Sequence, residues 1–195
     1  MTEKIKKSEV VILWGVDSSV NNIADDLKSK KIIVINPEKI DIAKEVALHV
    51  EIKPKGDIFL AVMLSRFLFI SDMIDEDFLE KHEIDYEDYH DFTQEFRIVS
   101  TLKKIGLDTG IIQKILEIIA DKKLMIICGN GLAKYEKLDD MKDVLNAFGM
   151  LLGLFDKEGS GVVHVNSNAF KECFDLQNNE FEFIDEIDTN ILKEM

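Results

Sequence analysis

Basic residues are scarce in this chain. Its 24 lysines and arginines face 38 aspartates and glutamates, giving a net charge of −14 and an isoelectric point near 4.7. A nucleic-acid face needs clustered cations. The densest patch, Lys4-Ile5-Lys6-Lys7, reads as solvated N-terminal surface, so nucleic acid is excluded as a partner. The acidic balance also disfavours an anionic ligand, except where backbone dipoles are aimed at it. Cysteine is nearly absent. Cys128 and Cys173 lack Cys-x-x-Cys spacing, which excludes a thiolate zinc site and an iron–sulfur cluster. Such usage suits a reducing compartment, and a cytoplasmic location is expected. No apolar signal region follows Met1-Thr2-Glu3-Lys4. Ile58 to Ile70 is strongly apolar but short of the roughly 20 residues that span a bilayer, so no direct membrane insertion is expected.

The usual catalytic signatures are missing as well. Only Gly15 follows the first apolar run, so there is no G-x-G-x-x-G fingerprint, and there is neither a phosphate loop nor a serine in a glycine elbow. His49, His82, His90 and His164 are scattered. His49 reads as a half-buried strand residue. His82 and His90 lie among carboxylates, but their spacing is neither i,i+3 nor i,i+4, which argues against a metal centre. No catalytic residue and no metal site are expected.

What is present is a set of short apolar runs. Val10 to Trp14, Ile32 to Ile35 and Leu124 to Cys128 are strand-length and uninterrupted, as strands covered on both faces are. Each ends where the backbone can turn, at Gly15, at Asn36-Pro37 and at Gly129-Asn130-Gly131. A weaker strand is expected over 48–52 and a short one over 162–165. Helical patterns lie between: residues 18–29 with Asp17 or Ser18 as cap, 38–46, 58–70 capped by Asp57, 109–121 and 139–154. The fold class is α/β, a doubly wound, mostly parallel sheet with helices on both faces and the Val10 strand central. Residues 1–170 form this domain, with an acidic helical insertion at about 72–104 read as a solvated helical pair. Residues 171–195 read as an acidic tail or linker. The turn Gly159-Ser160-Gly161 reads as flexible. The helix over 58–70 is apolar all round. One face packs on the sheet and the other needs a further cover, so part of Phe59, Met63, Phe67 or Ile70 is expected at the surface.

The order of the strand ends carries a resemblance. The series runs Trp14-Gly15-x-Asp17, Ile33-Val34-Ile35-Asn36-Pro37, then Ala47-x-His49-Val50-x-Ile52-x-Pro54-x-Gly56-Asp57. It continues through Asp75-x-x-Phe78-Leu79 and Gly129-x-Gly131-Leu132 to Gly153, Gly159 and Gly161. Over residues 10 to about 168 it resembles the molybdopterin oxidoreductase family. That resemblance implies that Gly15, Asp17, Asn36, Asp57, Gly129 and Asn130 border the place where catalytic members hold a molybdopterin guanine dinucleotide. The loops here depart from the family's pattern. Gly15-Val16-Asp17-Ser18 stands for glycine-x-asparagine-proline, and Asn36-Pro37-Glu38 for aspartate-proline-arginine. Pro54-Lys55-Gly56-Asp57 stands for proline-glycine-threonine-aspartate. An added aspartate and a missing arginine both oppose a pyrophosphate.

The branch that keeps this fold without the cofactor is the large G subunit of NADH–quinone oxidoreductase, respiratory complex I. The resemblance therefore implies a structural, cofactor-free segment with a relic site and with iron–sulfur clusters elsewhere in the full subunit. Its partners would be the other subunits of the respiratory complex and the remaining domains of its own chain, placing it peripheral to the inner membrane. The alternative is a fragment of a molybdenum-dependent oxidoreductase such as formate dehydrogenase, binding the guanine end of the dinucleotide. A second alternative is a stand-alone nucleotide-binding or scaffolding module.

Overall fold

A computed structural model describes residues 2–16, 23–38, 46–132 and 138–164. Five strands form one all-parallel sheet: β1 (Val10–Trp14), β2 (Lys31–Asn36), β3 (Leu48–Glu51), β4 (Leu124–Cys128) and β5 (Gly161–His164). Their order is β3-β2-β1-β4-β5, so β1 is central as the sequence predicts. Parallel pairing runs unbroken from Val10↔Lys31 to Trp14↔Ile35 on one side of β1, and from Val10↔Leu124 to Trp14↔Cys128 on the other.

Alternation along β1 separates two cores. Val10, Ile12 and Trp14 face the larger one, whereas Val11 and Leu13 face the smaller. The smaller core is closed by α1 (Thr2–Lys7) and α2 (Ala24–Leu27) through Ile5, Ile23 and Leu27. The lysine-rich start is therefore not merely solvated surface. Ile5 is fully buried, and Ser8 Oγ ends the turn by donating to the Ile5 carbonyl at 2.7 Å. The expected cap at Asp17 or Ser18 and the helix over 38–46 lie outside the described residues, as do the tail over 171–195 and the domain boundary near residue 170.

The larger core is closed by α3 (Asp57–Ile70), α7 (Thr109–Ile119) and α8 (Leu138–Leu151). The insertion is not a solvated pair. It is three short helices, α4 (Glu76–Lys81), α5 (Glu87–Gln94) and α6 (Ile98–Lys104); α5 and α6 supply the second cover that α3 needs, while α4 packs against α8. Tyr89 donates to Ser65 Oγ at 3.0 Å, and Arg66 donates to the carbonyls of Thr93 and Phe96. Phe59 and Met63 are buried as a result, Phe67 is half-buried, and Ile70 at the helix end is 60% exposed.

The turn at Gly159-Ser160-Gly161 is anchored rather than flexible. Ser160 is fully buried and its Oγ accepts the Leu124 N–H at 3.1 Å, while a Cβ on Gly159 would lie 2.7 Å from the Lys7 carbonyl oxygen. No helix among the described residues is long and apolar enough to cross a membrane.

Candidate functional site

In an open α/β sheet the ligand crevice lies beyond the strand carboxyl ends. Here the loops after β1 and β4 close on one another there. Gly129 N–H donates to the Trp14 carbonyl and Gly131 N–H to the Gly15 carbonyl, both at 2.8 Å, while Gly15 N–H donates to Ile35 at 2.9 Å. A Cβ on Gly129 would lie 2.5 Å from Val16 Cα, so backbone meets backbone and only glycine fits. Leu132 lies over Gly15, its Cγ 2.8 Å from where a Cβ would stand. Asn36, 9% exposed, turns inward and donates Nδ2–H to the Val16 carbonyl at 3.1 Å.

Asp57 does not cap α3. The helix begins at Asp57 with Gly56 in the cap position, and Asp57, 6% exposed, accepts the Trp14 indole N–H on Oδ1 at 2.8 Å. The turn before it explains the shifted glycine of Pro54-Lys55-Gly56-Asp57. Gly56 N–H donates to the Lys53 carbonyl at 3.0 Å, and Lys55 carries the left-handed φ of +65°. Glycine is needed one residue later, because a Cβ on Gly56 would lie 2.9 Å from Ile52 Cγ1 and from the Lys53 carbonyl oxygen.

Of the six residues expected to border the site, Gly15, Asn36, Gly129 and Asn130 lie at the carboxyl ends of the strands or in the loops that follow them, and Asp57 is the first residue of α3. Gly15, Gly129 and Asn36 form one bonded cluster with Val16 and Gly131, while Asp57 sits below, on the larger-core face. Asn130 is half-exposed, and Asp17 lies outside the described residues.

Sequence reasoning missed the row beneath. Strand register puts Val50, Ile35, Trp14, Cys128 and His164 side by side across the sheet. His164 bonds Asn146 Oδ1 of α8 at 3.0 Å, and burial, with the Lys142 charge second, lowers its pKa to about 4. Cys128 is a buried free thiol, and burial followed by the Asp57 charge pushes its pKa up. The one available signal was Trp14 itself, since a buried indole N–H needs an acceptor.

Three features of the described residues bear on the molybdopterin guanine dinucleotide that the resemblance implies. One carboxylate oxygen of Asp57 is already held by an interior donor. Leu132 covers the glycine of the first loop. The chain's two arginines, Arg66 and Arg97, belong to the helical layer, where Arg66 is taken by main-chain carbonyls. Nor do three His, Cys, Asp or Glu side chains converge as a metal site requires, among the described residues. His82 instead pairs with Asp156 at 2.8 Å, and His90 sits edge-on to Phe69.

No family model matches the chain. Among curated proteins it is 22% identical over 177 residues to the probable oxidoreductase YoaE of Bacillus subtilis, covering 87% of this chain and 26% of that protein. It is 25% identical over 137 residues to the F420-dependent formate dehydrogenase subunit alpha of Methanocaldococcus jannaschii, covering 69% of this chain and 20% of that subunit. Acetylene hydratase from Pelobacter acetylenicus shares its fold with a TM-score of 0.66 at 15% identity, over 84% of this chain and 26% of the hydratase. The chain spans about a quarter or less of each of these proteins. It is thus similar, over most of its own length, to one segment of much longer oxidoreductases, and its α/β fold recurs in one segment of acetylene hydratase.

Proposed function

We propose that this chain is a structural segment of a larger oxidoreductase. In this reading it is a molybdopterin-type domain without the cofactor, as in the G subunit of NADH–quinone oxidoreductase. It would support electron transfer carried by iron–sulfur clusters elsewhere, bound to the other subunits of the respiratory complex and to the rest of its own chain, on the cytoplasmic side of the membrane. The observation that carries this reading is the Trp14–Asp57 hydrogen bond, which holds a carboxylate oxygen toward the protein interior rather than toward the strand-end crevice. Charge supports it. A pyrophosphate would meet loops that contain Asp17 and Asp57 and no arginine. Like charges about 5 Å apart, at an effective dielectric of about 20, cost roughly 3 kcal/mol, or about two decades in affinity.

The second reading is a fragment of a molybdenum-dependent oxidoreductase that binds the guanine end of the dinucleotide. The similarity to a formate dehydrogenase alpha subunit favours it. Calorimetric titration with GDP separates the two, together with mass spectrometry for pterin in the denatured supernatant. The structural reading expects neither binding nor pterin. Micromolar GDP binding abolished by Asp57→Ala would establish the second reading instead.

A further inference from the structure

At the opposite end of the sheet a groove of about 1080 Å³ opens between residues 72–77, 119–124 and 152–158. Its wall includes the half-exposed apolar side chains Met73, Ile74 and Leu152. Its rim is acidic, with seven carboxylates to three lysines, and two of those lysines, Lys157 and Lys122, are already engaged. Lys157 pairs with Asp75 at 2.7 Å and donates to the Leu152 carbonyl at 2.8 Å, while Lys122 pairs with Glu9 at 3.5 Å. Asp72, Glu76, Asp77 and Asp121 have no cationic partner among the described residues.

Two helices end at this groove. Asp72 follows α3 and Asp121 follows α7, both left-handed, with φ of +54° and +56°. Each chain reversal closes its helix: Met73 N–H donates to the Leu68 carbonyl at 2.9 Å, and Lys122 N–H to the Ile119 carbonyl at 3.1 Å. Folding alone favours glycine at such a position, and a negative charge there opposes the helix dipole. Both carboxylates therefore stand where they weaken the fold. The carbonyl ends of the two helices add to the same negative potential. Glu83 takes the same conformation after α4 but does not line the groove. It supplies an internal control.

We propose that this groove docks a segment of another polypeptide that carries two or more arginines or lysines beside apolar anchors. The cationic heads meet Asp72, Asp121 and the two helix ends, and the methylene stems and anchors lie over Met73, Ile74 and Leu152. The proposal is independent of any ligand at the strand carboxyl ends.

The probe is an acetylated twelve-residue peptide with arginine and leucine at helical spacing, compared with a glutamate-for-arginine version. Amide shifts of the full chain are followed by NMR, and affinity by calorimetry at low and moderate salt. The expected shifts are confined to residues 72–77, 119–124 and 152–158. The double variant Asp72→Asn, Asp121→Asn keeps the left-handed turns and should weaken binding tenfold or more, whereas Glu83→Gln leaves it unchanged. Asp72→Gly with Asp121→Gly should weaken binding equally while raising Tm. Absence of binding, shifts spread over the whole acidic surface, or equal loss in Glu83→Gln would overturn the proposal.

Discussion

The Trp14 indole and the Asp57 carboxylate form a buried hydrogen bond of 2.8 Å that joins the central strand to the first turn of α3. Trp14 is fully buried and is the chain's single tryptophan, so the bond couples the fluorophore directly to this contact. Trp14→Phe removes the donor from a buried acceptor and leaves space where the indole was. The expected loss is about 2–4 kcal/mol in urea unfolding followed by circular dichroism. A loss below about 1 kcal/mol would show that the bond is incidental.

His164 predicts a pH dependence. Burial, and then Lys142, hold its folded pKa at about 4 against an ordinary value of 6.5. Between these values the unfolded chain binds the proton and the folded chain does not. Stability from this group is complete above pH 6.5, falls as pH drops through the window, and is lost near pH 4, by up to about 3 kcal/mol. The slope is expected to flatten in His164→Gln. An unchanged slope between pH 6.5 and 4.5 would show that other groups produce it.

Cys128 is expected to resist alkylation. Burial and the neighbouring Asp57 both favour its thiol form, and the thiolate is the reactive species. Peptide mapping after iodoacetamide treatment at pH 8 should find Cys128 unlabelled in native protein and labelled in urea. Labelling of the native chain within minutes would contradict the burial described here.

The turn before α3 gives two substitutions of opposite sign. Lys55→Gly relieves a left-handed lysine and should stabilise by roughly 0.5–1 kcal/mol. Gly56→Ala places a methyl 2.9 Å from Ile52 and the Lys53 carbonyl oxygen and should destabilise by about 1–3 kcal/mol. Thermal unfolding of both variants tests this. If the two shift Tm in the same direction, the assignment of the turn is wrong.

The strands were legible because their burial on both faces removes polar alternation, and their ends because glycine, asparagine and proline follow them. The centrality of β1 followed from crossovers to both sides. The packing role of the helices over residues 76–104 was not legible. Tyr89 and Arg66 make contacts that depend on how α5 and α6 fold back on α3. The first helix was hidden by its lysines, although buried Ile5 anchors it. At the strand ends the sequence misassigned Asp57 as a helix cap. A cap acts within one turn, whereas its partner Trp14 lies 43 residues earlier. The Trp14–Cys128–His164 row was illegible for a related reason, since it exists only once strand order and register are known.

The layering of α3 has a consequence for synthesis. This all-round apolar helix leaves the ribosome before every helix that will cover it, because α5, α6, α7 and α8 all follow it in the chain. Its sheet face cannot settle either until residue 128 has emerged, since β1 gains its second neighbour only with β4. For some eighty residues of translation, from the end of α3 to the end of α8, the nascent chain presents an apolar helix whose cover is incomplete. The segment is thus a natural client for holding chaperones, and truncation before residue 151 should yield aggregates rather than a smaller folded domain.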